Sequence, residues 1–160
     1  MKDRKKNRSG KQGTPMASPA SHGQAMSIEQ AMGFALRHHQ SGNLDLAEAV
    51  YRQVLGIQPD HPESLHLLGV VALQRGRRQE AVTLIGQAVK VKPGFADAHS
   101  NLGNALRELG RLDEAEQSYR RALALNSGVA MAHYNLGNVL MTGKRFDEAA
   151  KCFSAALSCS

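Results

Sequence analysis

From Ser27 onward the chain repeats itself with a period of 34 residues, and no other feature limits its folding so tightly. Gly69, Gly103 and Gly137 keep that step, with Ala35 in the register before them. Ala47, Ala81, Ala115 and Ala149 keep it too, as do Tyr51, Ile85, Tyr119 and Phe153. A third series is Val54, Ala88, Ala122 and Ala156. Pro59 and Pro93 close the first two units, and Ser127 takes that place in the third. The units are therefore 28–61, 62–95, 96–129 and 130–160, the last incomplete. One such unit cannot bury its apolar face alone, so units must stack, and about three are needed for stability.

Within each unit the apolar spacing is helical. Leu102, Leu106 and Leu109 recur at i, i+4 and i+7, after which Gly110 stops the helix. A second helix runs from about Asp113 through Ala115, Tyr119, Ala122 and Leu125. Gly42 and Gly76 occupy the same stop position, whereas Gly143 comes one residue early, so the last turn should differ in shape. Ser27 and Gln30 have the spacing of a capping box, and Pro62 suits a first helical position. Gly103 and Ala115 are expected to let the two helices of a hairpin approach closely, with Tyr119 and Leu123 filling the wedge between hairpins. Only 4% of residues are aromatic and Trp is absent, so the core must come from Leu, Val, Ala and Met. That composition favours helices over sheets. The expected fold is all-α, a stack of about four helical hairpins.

These features resemble the tetratricopeptide repeat (TPR) family, whose pattern is Leu-Gly, Ala, aromatic, Ala and Pro at fixed offsets. The pattern is carried by LHLLGVVALQRGRRQEAVTLIGQAVKVKP, HSNLGNALRELGRLDEAEQSYRRALALNS and HYNLGNVLMTGKRFDEAAKCFSAAL. The resemblance spans residues 28–160. Where the family often places Trp, this chain has Ala31, Leu65, His99 and His133. The resemblance implies a right-handed superhelical solenoid whose concave groove, lined by the first helix of each hairpin, binds a protein or peptide ligand. It implies a non-catalytic scaffold.

The groove residues expected from helical position are Ser100, Asn101 and Asn104 in the third unit and Tyr134, Asn135 and Asn138 in the fourth. The pairs Asn101/Asn104 and Asn135/Asn138 are i, i+3 neighbours that stacking would set in a row. An amide offers donors and acceptors together, so it can hold a peptide backbone without reading the adjacent side chain. The repeated NLGN is similar to the asparagine ladder in the TPR region of O-GlcNAc transferases and their bacterial relatives. That likeness implies a ladder role for Asn101 and Asn135, and by extension Asn104 and Asn138. It also implies an alternative, in which these residues form the substrate-recognition segment ahead of a glycosyltransferase domain. A chaperone-tail clamp is not expected, because the rung Met32, His66, Ser100, Tyr134 lacks the Lys it needs.

No catalytic constellation, cofactor site or metal site is expected. The seven histidines have no zinc spacing, and no Gly-rich loop precedes Gly-Lys-Ser/Thr. His99 and His133, one repeat apart, are read as packed rings whose protonation near pH 6 would destabilise the stack. Glu80, Asp113, Glu114, Asp147 and Glu148 crowd the starts of second helices and complement their dipoles.

The charge sits at one end. Residues 1–27 hold six basic groups and one acidic, while the remaining 133 residues hold 14 and 13. This segment lacks Leu, Ile, Val and aromatic residues and is expected to be a disordered basic tail. A nucleic-acid or anionic-membrane partner is not expected from its charge alone. No apolar stretch follows the basic start, so no secretory signal is expected. Cys152 and Cys159 lie about 10 Å apart along one helix, too far to bridge, which suits reduced thiols in the cytoplasm. Phe153, Leu157 and Cys159 would meet a further hairpin, so self-association through the open C-terminal hairpin is a further expectation.

Overall fold

The computed structural model describes residues 26–159, so all of the expected tail except Met26 and Ser27 lies outside the described residues. Among the described residues there are eight helices. They are α1 (Ile28–Gln40), α2 (Leu44–Ile57), α3 (Pro62–Gln74), α4 (Arg78–Val91), α5 (Ala96–Glu108), α6 (Leu112–Leu125), α7 (Ala130–Thr142) and α8 (Phe146–Ser158). Each odd-numbered helix packs on the even-numbered helix that follows, and the four hairpins stack into a right-handed superhelical solenoid. Contacts that skip an element join α3 to α5 and α5 to α7. The first helices therefore form the inner, tighter wall.

The local signals act as physical chemistry requires. The Gln30 amide donates to Ser27 Oγ at 3.1 Å, and the Ser27 amide donates to Gln30 Oε1 at 3.0 Å, completing a capping box. Pro62 opens α3, where His61 Nδ1 caps the helix by accepting from the Ser64 amide. Gly42, Gly76 and Gly110 end α1, α3 and α5 with φ of 80°, 73° and 76°. In the fourth hairpin the left-handed position falls on Lys144, at φ 58°, and the one-residue shift of Gly143 is the reason.

The small residues leave room for large ones. A β-carbon on Gly103 would stand 2.7 Å from the Tyr119 ring. One on Gly137 would stand 2.5 Å from Phe153, and one on Gly69 2.5 Å from Ile85. These contacts are far inside van der Waals distance. The clearance thus admits a bulky side chain from the second helix more than it admits that helix's backbone. Tyr51, Tyr119 and Ile85 are fully buried as a result. Tyr119 also packs in one cluster with Leu136, Val139 and Leu140 of α7, so a single ring fills its own hairpin and the next junction.

Outside the core, two junctions carry the same ionic clamp. Between the first and second hairpins, Glu48 and Arg52 of α2 face Arg77 and Glu80, with Arg77–Glu48 at 2.7 Å and Arg52–Glu80 at 2.8 Å. Between the third and fourth, Glu116 and Arg120 face Arg145 and Glu148, at 2.8 Å and 3.2 Å. The middle junction has Val82 and Gly86 at the corresponding places, and Arg111 pairs only locally, with Glu114 at 2.6 Å. Glu80 and Glu148 therefore do more than complement helix dipoles.

Candidate functional site

Stacking the first helices brings three of the four expected asparagines, Asn101, Asn104 and Asn135, into one hydrogen-bonded chain, and leaves Asn138 out of it. Asn135 Nδ2 on α7 donates to Asn104 Oδ1 on α5 at 2.9 Å. Asn104 Nδ2 donates to Asn101 Oδ1 at 3.3 Å. Asn101 Nδ2 lies 2.8 Å from His66 Nε2 on α3 and donates to it. An amide NH2 cannot accept, so the His66 ring carries its proton on Nδ1. Tyr119 Oη on α6 donates to Asn104 Oδ1 at 2.7 Å. The Asn104 oxygen is thereby filled, while each of Asn101, Asn104 and Asn135 keeps a second amide N–H that this chain does not use.

His66 is 6% exposed and lies edge-on to Phe95, with ring centroids 4.7 Å apart. Burial pushes its pKa down from 6.5 to about 4, although Asp97 and Glu63 pull the other way and His39 reinforces the fall. The ring is therefore neutral and remains an acceptor for Asn101. Burial likewise raises the Tyr119 hydroxyl, with Arg107 on α5 opposing.

The expected groove residues do not share one environment. Asn101, Asn104 and Asn138 are half-buried. Asn135 and Ser100 are buried, at 7% and 9% exposure, Asn135 against Asn104 of the preceding hairpin. Tyr134 is 51% exposed and turns towards α8, its ring centroid 5.7 Å from that of Phe153. It lines a cleft of about 530 Å³ formed with Ala130, Met131, Phe153, Ala156 and Leu157. Leu157 there is 78% exposed.

His99 and His133 are half-buried, and each Nε2 lies 3.0 Å from a backbone carbonyl, of Pro93 and Ser127 respectively. The carbonyl accepts from the ring. For the His66 imidazole, burial makes charge costly. Three residues escaped the reading of the sequence as members of this site. His66 was visible only as a rung without Lys, Tyr119 only as a core wedge, and Arg107 not at all. The spacing of Arg107, i+3 from Asn104, is the signal that could have found it.

Among the described residues no three His, Cys, Asp or Glu side chains gather as metal ligands would. No helix among them is long and apolar enough to cross a membrane.

Comparison with known proteins agrees with this architecture. The family model "Tetratricopeptide repeat" matches residues 32–88, 66–130 and 100–160. Cellulose synthase operon protein C of Xanthomonas axonopodis pv. citri (strain 306) is 36% identical over 66 residues, which are 41% of this chain. The chain spans only 4% of that relative's length. A crystal structure of MamA is similar at a TM-score of 0.76, with 21% identity over 84% of this chain and 78% of that one. A Thermobaculum terrenum O-GlcNAc transferase mutant is similar at a TM-score of 0.69 and 35% identity, over 71% of this chain and 22% of that one. With a family model covering most of its length and the repeat geometry in place, the chain belongs to the tetratricopeptide repeat family.

Proposed function

We propose that this chain is a non-catalytic interaction scaffold that holds an extended polypeptide along its inner wall. The observation that carries the reading is the amide chain Asn135–Asn104–Asn101–His66, which crosses three hairpins. Its remaining N–H groups are donors of the kind that peptide carbonyls accept from, and the bonds within it hold the amides in place before a ligand arrives. Selection from a displayed random-peptide library tests the reading. The wild-type chain should enrich extended peptides, and an Asn101→Ala/Asn135→Ala variant with unchanged helicity should bind them at least about tenfold more weakly. Equal binding by both would remove the ladder from the site.

One likeness favours a narrower version, in which the groove recognises acceptor segments for a glycosyltransferase. It is the 35% identity to the bacterial O-GlcNAc transferase, of whose length this chain spans 22%. The DNA sequence following the codon for Ser160 would decide it, since a glycosyltransferase domain there is what this version requires.

The cleft around Met131, Tyr134, Phe153 and Leu157 supports self-association as a second property. Its residues match Asp97, Ser100, Tyr119 and Leu123 one repeat earlier, where the next hairpin covers the ring. Sedimentation at micromolar concentration should show dimers that Leu157→Glu abolishes, and a wild-type monomer would reject it. Both cysteines are unpaired, in keeping with a reducing compartment, and we place the protein in the cytoplasm.

A further inference from the structure

Most arginines on the hairpins pair with carboxylates, as Arg77 does with Glu48 and Arg145 with Glu116. Among the described residues Arg37, Arg107 and Arg121 do not, and of these three Arg107 alone is not exposed. It makes no ion pair among the described residues, and the adjacent carboxylate, Glu108, is held by Arg78 at 3.0 Å. Its side chain is half-buried, and its Nε is buried without an acceptor among the described residues.

Its position lies on the inner wall. Arg107 is one turn beyond Asn104 and two turns beyond Ser100 on α5, so all three share a face. Its guanidinium is a hydrogen-bond partner of the Tyr119 hydroxyl, which itself donates to Asn104, so what it lacks is a carboxylate and an acceptor for Nε. The fold does not require a cation here. The same register holds His39, Leu73 and Met141 in the other hairpins.

We infer that Arg107 is the carboxylate-binding position of the groove, so that the bound polypeptide presents an Asp or Glu side chain to the third hairpin. This rests on the groove reading above. A guanidinium offers a planar fork of donors that a carboxylate accepts in a bidentate manner. Partial burial weakens solvent screening and makes an unpaired charge costly, so a ligand carboxylate gains more here than on the open surface. Asn101, Asn104 and Asn135 would then hold the main chain, and Arg107 would choose among side chains. The scaffold would gain a sequence preference that amides alone do not supply.

The test uses the full chain and peptides selected by the wild type from a random library. Each selected peptide is synthesised with its acidic residue as Glu and as Gln, and affinities are measured by fluorescence anisotropy at low salt. The Glu form should bind wild type about tenfold more tightly, a preference that shrinks as salt rises. Arg107→Met, matching the residue of the fourth hairpin, should fold normally and show less than about twofold preference. Arg107→Gln provides a second variant should the first destabilise the chain. A wild type that binds the Gln peptide equally well, or variants that keep the preference, would overturn the assignment while leaving the ladder intact. If the wild type enriches no peptide, the groove reading falls and this assignment falls with it.

Discussion

The first half of the solenoid, α1–α4, and the second, α5–α8, share a frame and differ along the inner wall. Glu48, Arg52, Arg77 and Glu80 recur 68 residues later as Glu116, Arg120, Arg145 and Glu148, with the same four pairings. Gly69 admits Ile85 just as Gly103 admits Tyr119 and Gly137 admits Phe153. At the wall the same 68-residue step replaces Gly33, Leu36, Leu67 and Val70 by Asn101, Asn104, Asn135 and Asn138, and His39 by Arg107. One frame thus tolerates an apolar wall and an amide-rich wall. The asparagines are not a requirement of hairpin stacking, in keeping with the ligand role proposed for them.

The largest test of the shared frame is steric. Gly69→Val and Gly103→Val each force a branched side chain into a filled site and should each cost about 3 kcal/mol in urea unfolding. A cost confined to one half would break the equivalence. Next comes the junction of the halves, where His66 meets Asn101. The unfolded ring takes a proton near pH 6.5 and the folded ring near 4, so in that interval the unfolded state binds more protons. Stability should be full above pH 7 and fall by about 2 kcal/mol by pH 5. His66→Gln should flatten that profile; a wild type equally stable at both pH values would contradict the burial of the ring.

A smaller effect concerns the last turn. Lys144→Gly should raise stability by about 1 kcal/mol by removing a left-handed non-glycine residue, bringing the fourth hairpin into line with the other three. The duplicated clamp predicts matching, salt-sensitive losses of about 0.5 kcal/mol for Glu48→Gln and Glu116→Gln, read from urea midpoints with and without salt. Unequal losses would show that one clamp is ornamental. Asn138→Val, copying Val70, should change stability by less than about 0.5 kcal/mol.

Much of the frame was legible because period and residue size act locally. A glycine facing a ring, a capping box and a glycine stop each work within a few turns, and their spacing is visible in the letters. The fourth turn was partly legible: the early Gly143 signalled an altered end, and the structure shows the cost passing to Lys144. The wall was harder. Asn101, Asn104 and Asn135 could be picked out by helical position, but their bonding could not, because it depends on how far one hairpin is rotated against the next. That rotation sets His66 on α3 against Asn101 on α5, rather than one rung opposite its equivalent. It also hides Ser100 and leaves Tyr134 open, although the two are equivalent in the repeat. Burial at such positions is decided by the neighbour and not by the unit itself.

In the amide chain every donor points the same way, from α7 through α5 to α3, and the chain ends on the accepting Nε2 of His66. Such a file of dipoles is a vector and not merely a row. A strand laid on it from N- to C-terminus and the same strand laid in reverse would meet different partners at each step. On the groove reading proposed above, the trough would tell head from tail, and a reversed copy of a ligand should bind more weakly even though its composition is identical.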